Sequence, residues 1–248
     1  MISNQSSKYA RMKFRTQSSL DFGMYIEWPL PYTFSQPDIT PTHLMGRSGD
    51  ILVDNHSRQN VTLTVNFFIR KPARYSSWFS LKTDIADWIM DSDYNFLSFD
   101  TQENYVWSAI AVTPPTLTET DELTGTGTVT FNCKPFLYRN DGIDFQPLPP
   151  TGVVYNTENM EAIPDWHIVG DGEFTLTVNG QEYIMQVDEE MFVDGENCQA
   201  YKSPVEDRNG QVQFANNDTP VLEVDKNIIT FSGNLSSIEY RPNWRRLA

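Results

Sequence analysis

The chain has 248 residues, 39% of them apolar, 21% charged and 13% aromatic, with a formal net charge of −15. This is globular composition, and 13 Gly, 15 Pro and 2 Cys exclude collagen-like, low-complexity and disulfide-dense classes. The acidic excess argues against a general binder of nucleic acid or of anionic membrane, since neutralising phosphates takes net basic surface. It also favours solubility through mutual repulsion of free copies.

No run of about 18 apolar residues exists, so no membrane-spanning helix is expected. The opening residues, Met1 to Lys8, are polar and do not read as a secretory signal. In a protein made in the cytosol, Cys133 and Cys198 are expected as reduced, buried thiols rather than a disulfide.

In chain order, Lys8, Arg11, Lys13 and Arg15 form the one local basic cluster. They read as a solvated strand entry or as an electrostatic contact with an acidic partner or a second copy. Phe14–Phe22 and Thr62–Ile69 have strand composition, and Thr62 to Phe67 alternates with period 2. Met45-Gly46-Arg47-Ser48-Gly49-Asp50 reads as a turn ahead of the Ile51–Val53 run. Ser76 or Ser77 can cap a helix to about Met90. Its apolar positions Trp78, Leu81, Ile85, Trp88 and Ile89 fall on one face, and Asp84 and Asp87 on the other. Strands follow at Asn95–Asp100, Tyr105–Val112 and Gly127–Cys133. The polar stretch 114–126 between the last two is expected as a long exposed hairpin loop, the front half's candidate for a protruding contact.

A turn-rich stretch, Asn140-Asp141-Gly142 and then Pro147 to Gly152, marks a boundary. Residues 1–142 carry 12 basic and 15 acidic side chains, net −3; residues 143–248 carry 6 and 18, net −12. Two domains are therefore expected, 1–142 and 143–248. The second reads as short strands at 165–169, 173–178, 181–187, 191–193, 200–201, 221–224, 227–231 and 236–241. Asp171-Gly172, Asn179-Gly180, Asp194-Gly195, Asn209-Gly210 and Ser232-Gly233 separate many of them. Asn-Gly between alternating runs is a strong hairpin signal, and evenly spaced short strands argue for a β-sandwich.

Catalytic patterns are sparse. His43, His56 and His167 make no H-x₃-H or H-E-x-x-H pair, and no G-x-S-x-G elbow precedes a serine. Cys133 sits in a β-run, as a packed thiol would. Glu189-Glu190 and Asp121-Glu122 read as solvated turns rather than a glycosidase pair. Trp166, Tyr240 and Trp244 can fill a core or stack a sugar. No catalytic residue, metal site or cofactor is expected.

The order of these features resembles the siphophage distal tail proteins (Dit) of phages infecting Gram-positive bacteria. The resemblance runs from Ser19 to Tyr25, through Gly46, Arg47, Gly49 and Asp50, the Trp-bearing helix, and Phe131 to Tyr138 with Pro135 and Phe136. It continues over Thr175 to Gly180, with Asn179 and Gly180, and closes on Asn227–Tyr240 and Arg241 to Leu247, with Trp244 and Arg245. It implies a mainly β chain of two domains. The first would be a ring-forming belt domain, a β-sandwich with one α-helix and a β-hairpin; the second would be a galectin-like β-sandwich. It further implies a homo-hexameric hub at the virion tail tip, assembled in the host cytoplasm. The hub would join the tail tube protein to a tail-associated lysin or tip protein and to a receptor-binding protein. DNA would contact it only in passage, and membrane not at all. The galectin sugar-binding set is not reproduced by the spacing of His167, Trp244 and Arg245, so sugar binding is not carried over. The alternative is an adhesion module that recognises host cell-wall saccharide through the second half; a carboxylate glycosidase ranks third.

Overall fold

The computed structural model describes residues 8–31, 34–203, 206–215 and 218–248. The chain forms two compact units: one runs to Leu137 and takes back Leu247–Ala248, and the other is Tyr138–Arg246. At this division the charges remain −3 and −12.

The front unit is a rolled main sheet over one α-helix, with a separate two-stranded sheet beside it. Its strands are β1 (Tyr9–Ala10), β2 (Met12–Phe14), β3 (Gln17–Ser18), β4 (Met24–Glu27), β5 (Pro37–Thr42), β6 (Ile51–Arg58), β7 (Val61–Arg70), β8 (Asn95–Phe99), β9 (Tyr105–Ala111), β10 (Thr116–Glu119) and β11 (Thr124–Arg139), with α1 (Trp78–Ile89) between β7 and β8. Among the described residues the main sheet has the order β1-β4-β7-β11-β9-β8-β2-β3. β1 and β2 follow one another in the chain yet pair with different ends of that path, β1 with β4 and β2 with β8. The strand therefore bridges the two margins of the sheet, as rolling it up requires. Closing a sheet in this way hides edges that would otherwise recruit other chains.

The burial of β7 alternates strictly at its start, with Val61, Leu63, Val65, Phe67 and Ile69 inward. Helix α1 seats Trp78, Leu81, Ile85, Trp88 and Ile89 on the same core. Ser77 caps it, its hydroxyl accepting from Ser80 N–H at 3.2 Å. Trp88 stacks on Phe22 with centroids 4.7 Å apart and donates its indole N–H to Phe14 O at 3.0 Å.

Phe14–Phe22 is not one strand. Residues Ser19–Phe22 form a 3-10 turn, because Ser18 accepts from Leu20 N–H while Asp21 accepts from Ser18 N–H. That reciprocal pair outcompetes the ladder. The stretch 114–126 is not a loop either. β10 and β11 pair from Thr116↔Thr128 to Glu119↔Gly125, and the turn between them is tied to α1 as described below. The chain end also returns here: Ala248 is buried and donates its N–H to Pro135 O at 3.2 Å.

The rear unit contains β12 (Gln146–Pro147), β13 (Val153–Asn156), β14 (Asp165–Val178), β15 (Gln181–Asp194), β16 (Gln199–Ser203), β17 (Glu206–Asp207), β18 (Val212–Gln213) and β19 (Asp225–Arg241); a last strand, β20 (Arg245–Leu247), pairs with β11. Three pairs of short strands read from the sequence prove to be three long bent strands, β14, β15 and β19. Asp171-Gly172 is a kink, with Gly172 at φ +104°, inside the β14–β15 ladder, where Asp171 faces Asp188. Ser232-Gly233 is the matching kink in β19, with Gly233 at φ +123°, where the β14–β19 register slips. A Cβ on Gly170 would stand 2.5 Å from Asn234 O, so the strands can cross at the bend only over a glycine. Asn179-Gly180 is a true hairpin turn, with φ of 51° and 86°.

The rear core gathers Trp166, Phe174, Leu176, Tyr183, Met185, Met191, Tyr240 and Trp244. Two buried carboxylates brace it. Asp165 accepts from Arg241 Nη2 at 2.7 Å, Asn243 Nδ2 at 2.9 Å and Gly195 N–H at 2.8 Å. Glu158 lies between Arg139 at 3.1 Å and Arg246 at 2.9 Å.

Candidate functional site

One element of the front unit belongs to no core. Among the described residues β5 and β6 pair only with each other, from Thr42↔Ile51 to Pro37↔Arg58, and form a separate two-stranded sheet. This arm is exposed on both faces. Ile39 and Leu52 emerge on one side with Pro41, and Ile51 and Val53 on the other. At its tip Met45 is 96% exposed and Leu44 43%. The motif residues Gly46, Arg47, Gly49 and Asp50 make that tip. Both glycines have positive φ, 81° and 87°, which lets the chain reverse. Asp50 accepts from His43 at 3.3 Å, while Arg47 is exposed and has no side-chain partner among the described residues. Its strands of 6 and 8 residues reach about 20 Å at roughly 3.3 Å per residue.

The basic cluster lies along β1–β2. Ala10, Met12 and Phe14 point inward, so Arg11, Lys13 and Arg15 share the outer face. Lys8 lies over the Tyr9 ring at 5.5 Å, Arg11 N–H donates to Asp100 at 2.9 Å, Arg15 reaches Asp91 at 3.3 Å, and Lys13 is exposed. Beside Arg15 opens a cleft of about 790 Å³ between the 15–22 segment, Arg74-Tyr75 and α1. Phe22 and Trp88 contribute to its lining, and Asp21, Asp84 and Asp87 supply carboxylates. Tyr75 donates to Asp84 at 2.9 Å; burial and then this carboxylate raise the phenol above its ordinary pKa.

The hairpin β10–β11 is fastened rather than free. Lys82 pairs with Glu119 at 2.6 Å and Trp78 donates its indole N–H to Asp121 O at 3.3 Å. Asp121 accepts from Thr124 Oγ1 and from the N–H groups of Leu123 and Thr124 at 2.7–2.8 Å. These bonds, the hydroxyl's first, hold its carboxyl below the usual range.

The remaining motif residues serve the fold. Tyr138 is buried, and its phenol is pushed up by desolvation. Pro135 accepts from the chain end and Phe136 is half-buried. Asn179 bonds Asn227 at 2.7 Å and accepts from Ile228 N–H at 2.9 Å, with Gly180 completing its turn. Trp244 is buried against Gly142, where a Cβ would come within 2.8 Å of the indole; Arg245 is buried and donates to Glu161 O at 2.8 Å.

Burial pushes the Cys133 thiol up to about 12, leaving almost no thiolate at neutral pH. Cys198 is exposed rather than buried, at φ 53° in the turn before β16. Among the described residues no group of three His, Cys, Asp or Glu side chains is placed to hold a metal. Trp166, Tyr240 and Trp244 are core residues. An aromatic row does cross the rear sheet. His167 lies flat on Phe192 at 4.1 Å and Phe192 on Tyr201 at 5.5 Å, with Phe145 edge-on to His167. One face of His167 lies on Phe192, whose stacking continues onto Tyr201, and the His167 nitrogens meet Glu239 at 3.1 Å and Glu190 at 3.4 Å.

Comparison with known proteins places this geometry. Residues 29–133 match the family of the phage tail protein RIFT-related domain. The arm, β7, the cleft-lining helix and the pinned hairpin all fall within that span. The solved structure of the Dit protein (gp 19.1) of phage SPP1 is described as a paradigm of the hub adsorption apparatus in phages infecting Gram-positive bacteria. It is similar to this chain with a TM-score of 0.60, over 93% of this chain and 97% of that one, at 11% identity. No curated protein matches the chain in sequence. The resemblance read from the sequence is borne out at that level: residues 29–133 match a phage tail domain family, and the chain shares its mainly β fold with the SPP1 Dit protein.

Proposed function

We propose that this chain is a structural hub of a siphophage tail tip: a homo-hexameric ring between the tail tube and the tip proteins, with a channel through which DNA passes. The observation that carries this reading is the arm. A lone two-stranded hairpin is marginal in water, and this one bears Ile39, Leu52, Ile51 and Val53 uncovered on two faces. Such an element gains stability only against another surface. A projecting arm and a separate receiving surface on one chain make a head-to-tail contact, which closes into a ring when the rotation fits.

The front unit, read as the belt domain of residues 1–142, suits a ring because its charge is close to balanced. The rear unit, read as the galectin-like domain of residues 143–248, carries −12 and belongs at the periphery. There repulsion is screened over roughly 8–10 Å at moderate salt. Lys8, Arg11, Lys13 and Arg15 are the inter-subunit cations of this reading. An acidic hub also repels DNA in transit, which limits sticking. The partners are the tail tube protein, a tail-associated lysin or tip protein and a receptor-binding protein, in a virion tail tip assembled in the host cytoplasm. The role is architectural, not enzymatic. A saccharide site needs an open aromatic face with convergent polar groups. The stacking of His167 on Phe192 gives the adhesion alternative no support.

The test is the particle mass of the purified full chain, with negative-stain images. The expected result is a species of six chains with a central hole. A monomer at every concentration and ionic strength overturns the reading.

A further inference from the structure

Resting on the ring reading, we propose that the tip of one copy's arm seats in the next copy's cleft between Asp21, Asp84, Asp87 and the Phe22–Trp88 pair, with Arg47 placed on the α1 carboxylates.

The cleft's own bonding shows what it lacks. Its two cations are occupied: Arg15 faces Asp91 at 3.3 Å, and Arg74 reaches Asp21 O and the Tyr75 hydroxyl. Its acceptors are not filled. Asp87 is exposed and has no partner among the described residues, while Asp84 and Asp21 each use one oxygen there, towards Tyr75 and Ser18 N–H. Three carboxylates against two guanidiniums leave the lining net negative. The occupant that completes it is a cation with donors to spare and a slim apolar neighbour for the edge that Phe22 and Trp88, each 4% exposed, leave open.

The arm tip has that chemistry. Arg47 is exposed and unpaired, and its planar fork suits a carboxylate pair three residues apart on a helix. Met45, 96% exposed, is an unbranched thioether of the kind that packs against aromatic rings. Gly46 meets nothing within 4 Å of an added Cβ, and its φ of 81° sets Met45 and Arg47 on a tight reversal. A reach of about 20 Å separates the tip from its own root, as a contact between copies needs. The tip and the cleft are different patches, so the contact is heterologous and can close a ring.

The test is a charge swap in the full chain, read as the association constant of the ring by sedimentation. Arg47→Asp alone and Asp87→Arg alone are each expected to weaken assembly by about tenfold or more, since like charges then face each other. The two combined are expected to recover it, and Asp87→Asn is expected to weaken it without adding bulk. Both sites are exposed, so the thermal midpoint of the dissociated chain is expected to be unchanged. If the parent forms rings and the single variants form them equally well, or the combination fails to recover, the tip does not sit in this cleft and the ring reading stands. If the parent is monomeric under all conditions, the ring reading falls and this contact with it.

Discussion

The front unit holds two β-hairpins of opposite character. The hairpin β10–β11 is polar, yet it is fastened at three points: Lys82 to Glu119, Trp78 to the Asp121 carbonyl, and the Asp121 side chain into its own turn. The arm β5–β6 is richer in exposed apolar side chains, yet none of its residues belongs to the front core and both faces stay open. Polarity alone would send the first outward and the second inward. What decides is whether a neighbouring element supplies matched donors and apolar surface within reach. Helix α1 supplies both to β10–β11, and nothing in the described residues supplies them to the arm.

The comparison can be broken at its strongest point. Trp78→Ala removes a buried indole that packs under Gly125 and bonds Asp121. It is expected to cost about 3–5 kcal/mol, as other buried Trp truncations do, and to speed hydrogen exchange in 116–124 more than in the arm. A loss confined to the arm would show that the two hairpins had been assigned the wrong roles.

A smaller effect is expected at the turn. The Asp121 carboxyl is held below its ordinary pKa in the folded chain. Its contribution is therefore complete above the unfolded carboxylate value and is lost as pH falls through the lowered folded one. The gap in thermal midpoint between the parent and Asp121→Ala is expected to be open near neutral pH and to close on acidification. A gap that stays constant from about pH 6 to about pH 2 would contradict this, since that span covers the ordinary Asp range.

The smallest effect is expected on the arm itself. Leu52 is 66% exposed, so Leu52→Ala should leave the unfolding free energy of the dissociated chain within about 0.5 kcal/mol of the parent, as surface changes usually do. Denaturant melts of dissociated protein measure it. A larger loss would mean that the arm packs on its own unit in solution.

Helix α1 was fully legible in the sequence. The five apolar positions on one face are its five buried residues, and a serine cap follows from the residue type, with Ser77 rather than Ser76 filling it. The Asn179-Gly180 hairpin was equally plain, because only a turn with positive φ at both residues suits that pair between alternating runs. β5 is not legible in the sequence, since Pro37 and Pro41 argue against a strand; proline is admitted here because both faces and the outer edge are open. The bends of β14 and β19 carry the same sequence signal as turns, because a glycine that lets a chain reverse also lets a strand kink. The cleft carried no signal of its own. Asp84 and Asp87 look like an ordinary solvated helix face until the 15–22 segment and Arg74 are folded beside them.

Residue order alone settled the periodic features of this protein: which side chains face inward on α1 and β7, where Asn179-Gly180 reverses, and that the acidic residues concentrate in the rear half. These are local properties, set by the 3.6- and 2-residue periods and by the backbone freedom of a few residue types. Tertiary structure alone decided which hairpin projects, that six short strands are three long bent ones, and that Ala248 returns to the front core. Each of those depends on partners far apart in sequence, and the free energy of such contacts exists only once the surfaces have met.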